Sequence, residues 1–170
     1  MGASFDLVDF NKDGKLDLIV SNGDNGDFAL PLKSYHGIRL YLNDGGNRFT
    51  EAFFHPMHGA YKAVARDFDA DGDLDLAAIA FYPDFEQERP ESFVYLENQG
   101  GMKFTASTCA ESDAGRWMVM DVGDLDGDGD EDLALGSFVR GPTTVPVPQA
   151  MREHWRTNGA AVLLLENIQK

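Results

Sequence analysis

The chain has 170 residues, 43% of them hydrophobic, and its 29 acidic against 14 basic residues leave a net charge of −15. That length suits one domain with a packed core. The acidic balance without a basic patch argues against nucleic acid as a partner, and no apolar run approaches the ~20 residues of a membrane span, so no membrane insertion is expected.

In chain order, a short apolar segment at residues 5–8 runs into a nine-residue acidic loop, Asp9-Phe-Asn11-Lys12-Asp13-Gly14-Lys15-Leu16-Asp17. A compact apolar run follows at 18–20. The variable stretch 21–36 then leads to a third run at 38–42, which reaches Asn43 and a glycine turn, Asp44-Gly45-Gly46. Phe49-Thr50 begins a fourth run. Short apolar runs separated by glycine turns read as strands of an antiparallel meander.

The pattern then repeats. Residues 63–65 lead into Asp67-Phe68-Asp69-Ala70-Asp71-Gly72-Asp73-Leu74-Asp75, followed by strands at 76–79 and 93–96, Asn98, the turn Gln99-Gly100-Gly101, and Phe104-Thr105. A third copy has residues 117–120, then Asp124-Leu125-Asp126-Gly127-Asp128-Gly129-Asp130-Glu131-Asp132, then 133–135, and finally 161–165 reaching Asn167. The first loop residues are 58 and 57 positions apart. Repeats of this length imply a repeat architecture. Three units are therefore expected, at 3–59, 60–116 and 117–170, within one repeat domain over 1–170.

The third unit is expected to lack its outer strand. It also carries a long insertion, about 137–159, broken by Pro142, Pro146 and Pro148, in which 149–155 reads as one or two helical turns. The apolar run after each loop reads as a strand buried on both faces.

Oxygen side chains at loop positions 1, 3, 5 and 9 around a glycine at position 6 suit a hard cation, calcium above all, which takes six to eight oxygens. The expected ligands are Asp9, Asn11, Asp13, Lys15 and Asp17 in loop 1; Asp67, Asp69, Asp71, Asp73 and Asp75 in loop 2; and Asp124, Asp126, Asp128, Asp130 and Asp132 in loop 3. Position 7 enters through its main-chain carbonyl, which is why Lys15 can stand there. Eleven of the 29 acidic residues occupy positions 1, 3, 5 and 9 of these loops, and such crowding asks for counter-ions. Up to three calcium ions are expected, with loop 1 the weakest site because of Asn11, Lys12 and Lys15. An EF-hand needs a carboxylate at position 12. That position is Val20, Ala78 and Leu135 here, so the EF-hand reading fails three times, and a dockerin-like module fails for want of a helix after the loop.

Four-stranded units repeated about a centre make a β-propeller. In these residues the chain resembles the FG-GAP/VCBS repeat family, whose relatives include the propeller of integrin α subunits. The resemblance implies an all-β fold of calcium-bearing blades, here a partial propeller of about three blades with the last incomplete, usually in secreted or surface proteins. It carries no activity with it. No leader motif stands before the first repeat, which fits a cytosolic protein or a segment of a longer secreted chain, and the resemblance favours an extracellular, cell-surface or periplasmic one.

Other candidates read blandly. Cys109 has no partner for an intrachain disulfide. His55 and His58 flank Pro56 without a third zinc ligand. Asp84, Glu86 and Glu88 read as a solvated loop, and Tyr61 and Trp117 as blade packing; Trp155 is left open. No catalytic motif is visible, so no enzyme is expected. The long loops between second and third strands must lie at the end opposite the acidic loops. Binding residues concentrate on such loops. The expected role is a binding or adhesion scaffold for a protein or glycan, completed by further blades or by self-association. The alternatives are an accessory or partial catalytic domain of a secreted hydrolase or lyase, and a purely structural inter-domain module.

Overall fold

The computed structural model describes residues 4–23, 33–46, 48–88, 90–140 and 145–168. Three antiparallel sheets follow one another along the chain. The first contains β1 (Ser4–Val8), β2 (Asp17–Asn22), β3 (Gly37–Asn43) and β4 (Phe49–Pro56), hydrogen-bonded in that order. The second repeats the meander with β5 (Ala60–Arg66), β6 (Asp75–Ala80), β7 (Phe93–Asn98) and β8 (Phe104–Ser107). The third contains β9 (Trp117–Gly123), β10 (Asp132–Ser137) and β11 (Val162–Leu165), with the helix α1 (Gln149–Asn158) between its last two strands. The fold is thus all-β with propeller-like blades, and among the described residues the third sheet has three strands.

Strand alternation makes one blade serve two cores. A strand's successive side chains point to opposite faces. In β6, Leu76, Ala78 and Ala80 join Phe10, Ile19, Ile38, Leu40 and Met57 of the first blade. Ala77 and Ile79 of the same strand join Trp117, Met120, Leu133 and Leu135 of the third. Every residue of β6 is consequently buried.

The expectation that all three post-loop strands are buried on both faces holds only there. Residues alternate between buried and half-buried along β2, and β10 has half-buried positions too, because the outer blades have a neighbour on one side only. Their free faces carry exposed apolar side chains: Phe5 and Leu7 on β1, Val119 on β9, Val162 and Leu164 on β11.

Polar ties supplement these cores. Lys62 Nζ donates to the Met120 carbonyl at 2.6 Å. Arg116, 1% exposed, donates through Nε to the Phe81 carbonyl at 3.0 Å, and its guanidinium lies 3.8 Å from the Phe81 ring centroid. A buried cation is tolerable only with such partners.

The insertion is more ordered than its prolines suggest. The helix α1 spans ten residues rather than one or two turns. Pro148 sits at its N-cap, where a missing N–H costs nothing. Trp155 is buried against Phe85 and Val147, with ring centroids of Phe85 and Trp155 5.6 Å apart, and its Nε1 donates to the Asp113 carbonyl at 2.7 Å. Trp155 is therefore a packing residue that fastens the third blade's insertion to the second. Trp117, fully buried, packs as expected. Residues 24–32 and 141–144 of the long loops lie outside the described residues.

Candidate metal centre

Each acidic loop joins the first and second strands of its blade, and the three have one backbone shape. Position 6 is left-handed in all: Gly14 has φ 85°, Gly72 96° and Gly129 102°. Position 4 is left-handed too, as Lys12 (φ 60°), Ala70 (57°) and Gly127 (85°). Only glycine takes this conformation without a Cβ penalty. The loops offset that penalty at Lys12 and Ala70 by short-range hydrogen bonds from main-chain N–H groups to aspartate side chains. In loop 2, Gly72 N–H donates to Asp67 Oδ2 (3.2 Å), Asp71 N–H to Asp69 Oδ1 (3.2 Å) and Asp73 N–H to Asp71 Oδ1 (2.8 Å). In loop 3, Asp128 and Asp130 donate in the same way to Asp126 and Asp128, while Asp124 accepts from the position-4 Gly127 N–H.

These bonds turn carboxylates inward. One carboxylate oxygen from each of Asp67, Asp69 and Asp71 lies within 4.8 Å of the others, and Asp124, Asp126 and Asp128 form the same arrangement in loop 3. Around them, Asp67 Oδ1, Asp73 Oδ1 and Asp130 Oδ1 are buried atoms that meet no hydrogen-bond donor among the described residues. A buried unsatisfied acceptor is costly. Loss of solvation, reinforced by Asp71, Asp69 and Asp67, raises the Asp73 carboxyl above its usual range; loss of solvation and Asp128 do the same to Asp130, and Asp69 is raised by burial first. Both loops fit a hard cation: a convergent set of anionic oxygens, unsatisfied acceptors and carboxyls that resist ionisation without a counter-charge.

Position 9 has a further structural role. Asp17, Asp75 and Asp132 are the first residues of β2, β6 and β10, and each is at most 1% exposed. In every blade one carboxylate oxygen accepts the N–H of loop position 2 and the other accepts the N–H of the asparagine that ends the third run. The pairs are Phe10 and Asn43 on Asp17 (2.9 and 2.8 Å), Phe68 and Asn98 on Asp75 (3.2 and 2.8 Å), and Leu125 and Asn167 on Asp132 (2.8 and 2.8 Å). Tyr95 adds its hydroxyl to Asp75 at 2.7 Å. Burial raises the Asp75 carboxyl against these donors, whereas the Asn167 and Leu125 N–H groups hold that of Asp132 low. Position 9 is a clamp between the loop and the far end of the third strand.

The recurrent asparagine was visible in the sequence, but its partner was not. Its amide also donates to the position-8 carbonyl, Leu16 or Leu74, in the first two blades. In the third, Asn167 Nδ2 reaches the Phe68 carbonyl of the second blade at 2.6 Å.

Loop 1 differs. Asp9 accepts from Asp13 N–H and Gly14 N–H through its two oxygens (3.0 and 2.9 Å). Asp13 accepts from Lys15 N–H through Oδ1 and from Lys15 Nζ through Oδ2, at 3.0 and 2.7 Å. Hydrogen bonding to Lys15 holds Asp13 below the usual carboxyl range. Lys12 leaves its own loop and donates to the Gly72 carbonyl of loop 2. Elsewhere, Asp84 accepts from Glu86 N–H at 3.1 Å and so closes its own turn.

Residues 9–78 match the family model described as FG-GAP-like repeat. Over these residues the chain is similar to an FG-GAP-like repeat. The matched FG-GAP-like segment runs from the first residue of loop 1 into β6 and so contains loops 1 and 2. Loop 3 lies beyond it but shares its geometry. No curated protein matches the chain. No helix among the described residues is long and apolar enough to cross a membrane.

Proposed function

We propose that the chain is a calcium-stabilised propeller segment that acts as an extracellular binding scaffold, with loops 2 and 3 as its principal ion sites. The observation that carries this reading is the convergence of three carboxylates in each of those loops beside buried acceptors with no donor among the described residues. Calcium bound there would hold the loop carboxylates ionised and tie the first two strands of each blade together. Chemistry of this kind fastens a fold and asks for no catalytic group, so the role we assign is non-enzymatic.

The partner face is assigned to the end opposite the acidic loops, where the connections between second and third strands are long. Burial of Phe85, Val147 and Trp155 supports this, because it gives that end a rigid base. The apolar side chains on the free faces of the outer blades, Phe5 and Leu7 on one side and Val162 and Leu164 on the other, suit packing against further blades.

Calorimetric titration of chelator-treated protein tests the ion reading. Uptake with a dissociation constant of about 10⁻⁴–10⁻³ M, as for extracellular modules, is expected. Chelation should lower the melting temperature, since at ten times the dissociation constant each bound ion adds about 1.4 kcal/mol. Heat changes no larger than dilution at millimolar calcium, with a melting curve indifferent to chelator, would reduce the loops to acidic turns.

A further inference from the structure

We infer that loop 1 carries its own cation: the Lys15 ammonium stands in for the divalent ion of the other two loops, so that the chain takes two divalent ions and not three. The inference rests on the ion reading of loops 2 and 3, but concerns a loop whose residues do not fit a metal.

Four observations converge on Lys15. It occupies position 7, where the other loops have Asp73 and Asp130, whose buried oxygens meet no donor among the described residues. Its ammonium lies 2.7 Å from Asp13 Oδ2, with Asp17 and Asp44 also close enough to favour its charge. Its stem is held against the turn between β3 and β4: a Cβ added at Gly45 would come 2.9 Å from Lys15 Cε. Finally, the oxygens that should face an ion are engaged. Both oxygens of Asp9, both of Asp13 and the Asn11 Oδ1 accept hydrogen bonds within the loop, and among the described residues no buried side-chain acceptor of loop 1 is left without a donor.

The charge balance agrees. In sequence, loop 1 sets Asp9, Asp13 and Asp17 against Lys12 and Lys15, a net of one negative charge, although the Lys12 ammonium reaches over to loop 2. Loop 2 has five aspartates and no basic residue; loop 3 has five aspartates and Glu131. Asn11 also removes the third carboxylate of the convergent set, and only loops 2 and 3 show that set among the described residues. An ammonium gives three donors at fixed reach and needs no dehydrated shell of six to eight oxygens. It can therefore close a loop that has too few anionic oxygens for calcium.

The decisive measurement is the number of calcium ions held by chelator-stripped protein in equilibrium dialysis, for wild type and for Lys15→Asp, which restores the residue type of Asp73 and Asp130. An increment of one ion in the variant supports the proposal. An equal number in both proteins overturns it, whether three or fewer. If wild type holds none but Lys15→Asp gains one, the function proposed above falls and the tethered cation stands. A metal-independent readout accompanies this. In chelator, Lys15→Met should speed amide exchange at Gly14 and Lys15 but not at Gly72, and calcium should not restore protection. Unchanged exchange at Gly14 and Lys15 would overturn the proposal.

Discussion

Replacing Asp75 with alanine separates a clamp from an ion ligand. The side chain accepts from Phe68 N–H at 3.2 Å, Asn98 N–H at 2.8 Å and the Tyr95 hydroxyl at 2.7 Å, in a residue with no solvent exposure. Leaving a buried donor unpaired costs about 1–3 kcal/mol. The long Phe68 contact and the half-buried Tyr95 hydroxyl belong at the low end, so three donors sum to roughly 3–5 kcal/mol by that rule. Burial disfavours the carboxylate itself, as its raised pKa records, and removing it returns part of that penalty. A net loss of about 2–4 kcal/mol remains, a large share of the ~5–15 kcal/mol that holds a domain together.

The assay is urea unfolding followed by tryptophan fluorescence, in chelator and in millimolar calcium. Asp75→Ala should lose the same amount in both. Asp71→Ala, at a convergent ligand position, should lose no more than about 1 kcal/mol in chelator, for its exposed hydrogen bond from Asp73 N–H, and forfeit part of the calcium increment. A second signature is optical. Burial and the Asp75 carboxylate push the Tyr95 phenol above its ordinary range, so Asp75→Ala should bring its alkaline titration down. If Asp75→Ala costs under about 1 kcal/mol in chelator yet abolishes the calcium response, the clamp argument is wrong.

Asp73 sets a pH dependence of opposite sign in ion-free and ion-loaded protein. Its folded pKa is raised, so the ion-free folded state keeps the proton to higher pH than the unfolded chain, and stability falls as pH rises from the ordinary aspartate value of 3.8 through the folded value. Asp73→Asn should therefore melt above wild type in chelator at neutral pH, converge with it as pH approaches 3.8, and melt below it in calcium; scanning calorimetry at several pH values decides. Trp117→Ala, at the centre of the core between the second and third blades, should cost about 3–5 kcal/mol with or without calcium in urea unfolding. The exposed Val162 and Leu164 on β11 and Phe5 and Leu7 on β1 should make the 170-residue chain self-associate in sedimentation velocity as concentration rises. A monomer at every concentration would mean that those faces are covered.

The strands, the loops and the antiparallel order were legible because each rests on local chemistry: apolar runs of strand length, glycine where the backbone turns left-handed, and a recurrent spacing. What was not legible depends on neighbours. A buried aspartate that serves main-chain N–H groups looks the same in sequence as one that faces an ion, so the clamp role of Asp17, Asp75 and Asp132 appeared only with Asn43, Asn98 and Asn167 in place. Burial of β6 on both faces, against one face for β2, follows from which blade stands in the middle. The length of α1 was hidden by prolines on its N-terminal side, and the burial of Trp155 depends on Phe85, seventy positions away. Lys15 was readable as a weakness of loop 1 but not as an occupant of it, because its reach to Asp13 is a matter of rotamer.

The size distribution of side chains between blades has a geometric consequence. Along the inner strands β5 and β6 the residues packed on the first blade are mostly small: Ala60, Ala63, Ala65, Ala78 and Ala80, beside Leu76. Further out, between β4 and β8, Phe53 and Phe104 face each other with ring centroids 4.2 Å apart. Thin packing near the axis and thick packing at the rim make a wedge. Because close-packed interiors resist compression, the taper sets the angle through which one blade turns to the next. The alanines thus act as a protractor, and enlarging Ala78 would change the curvature of the array before it changed any loop.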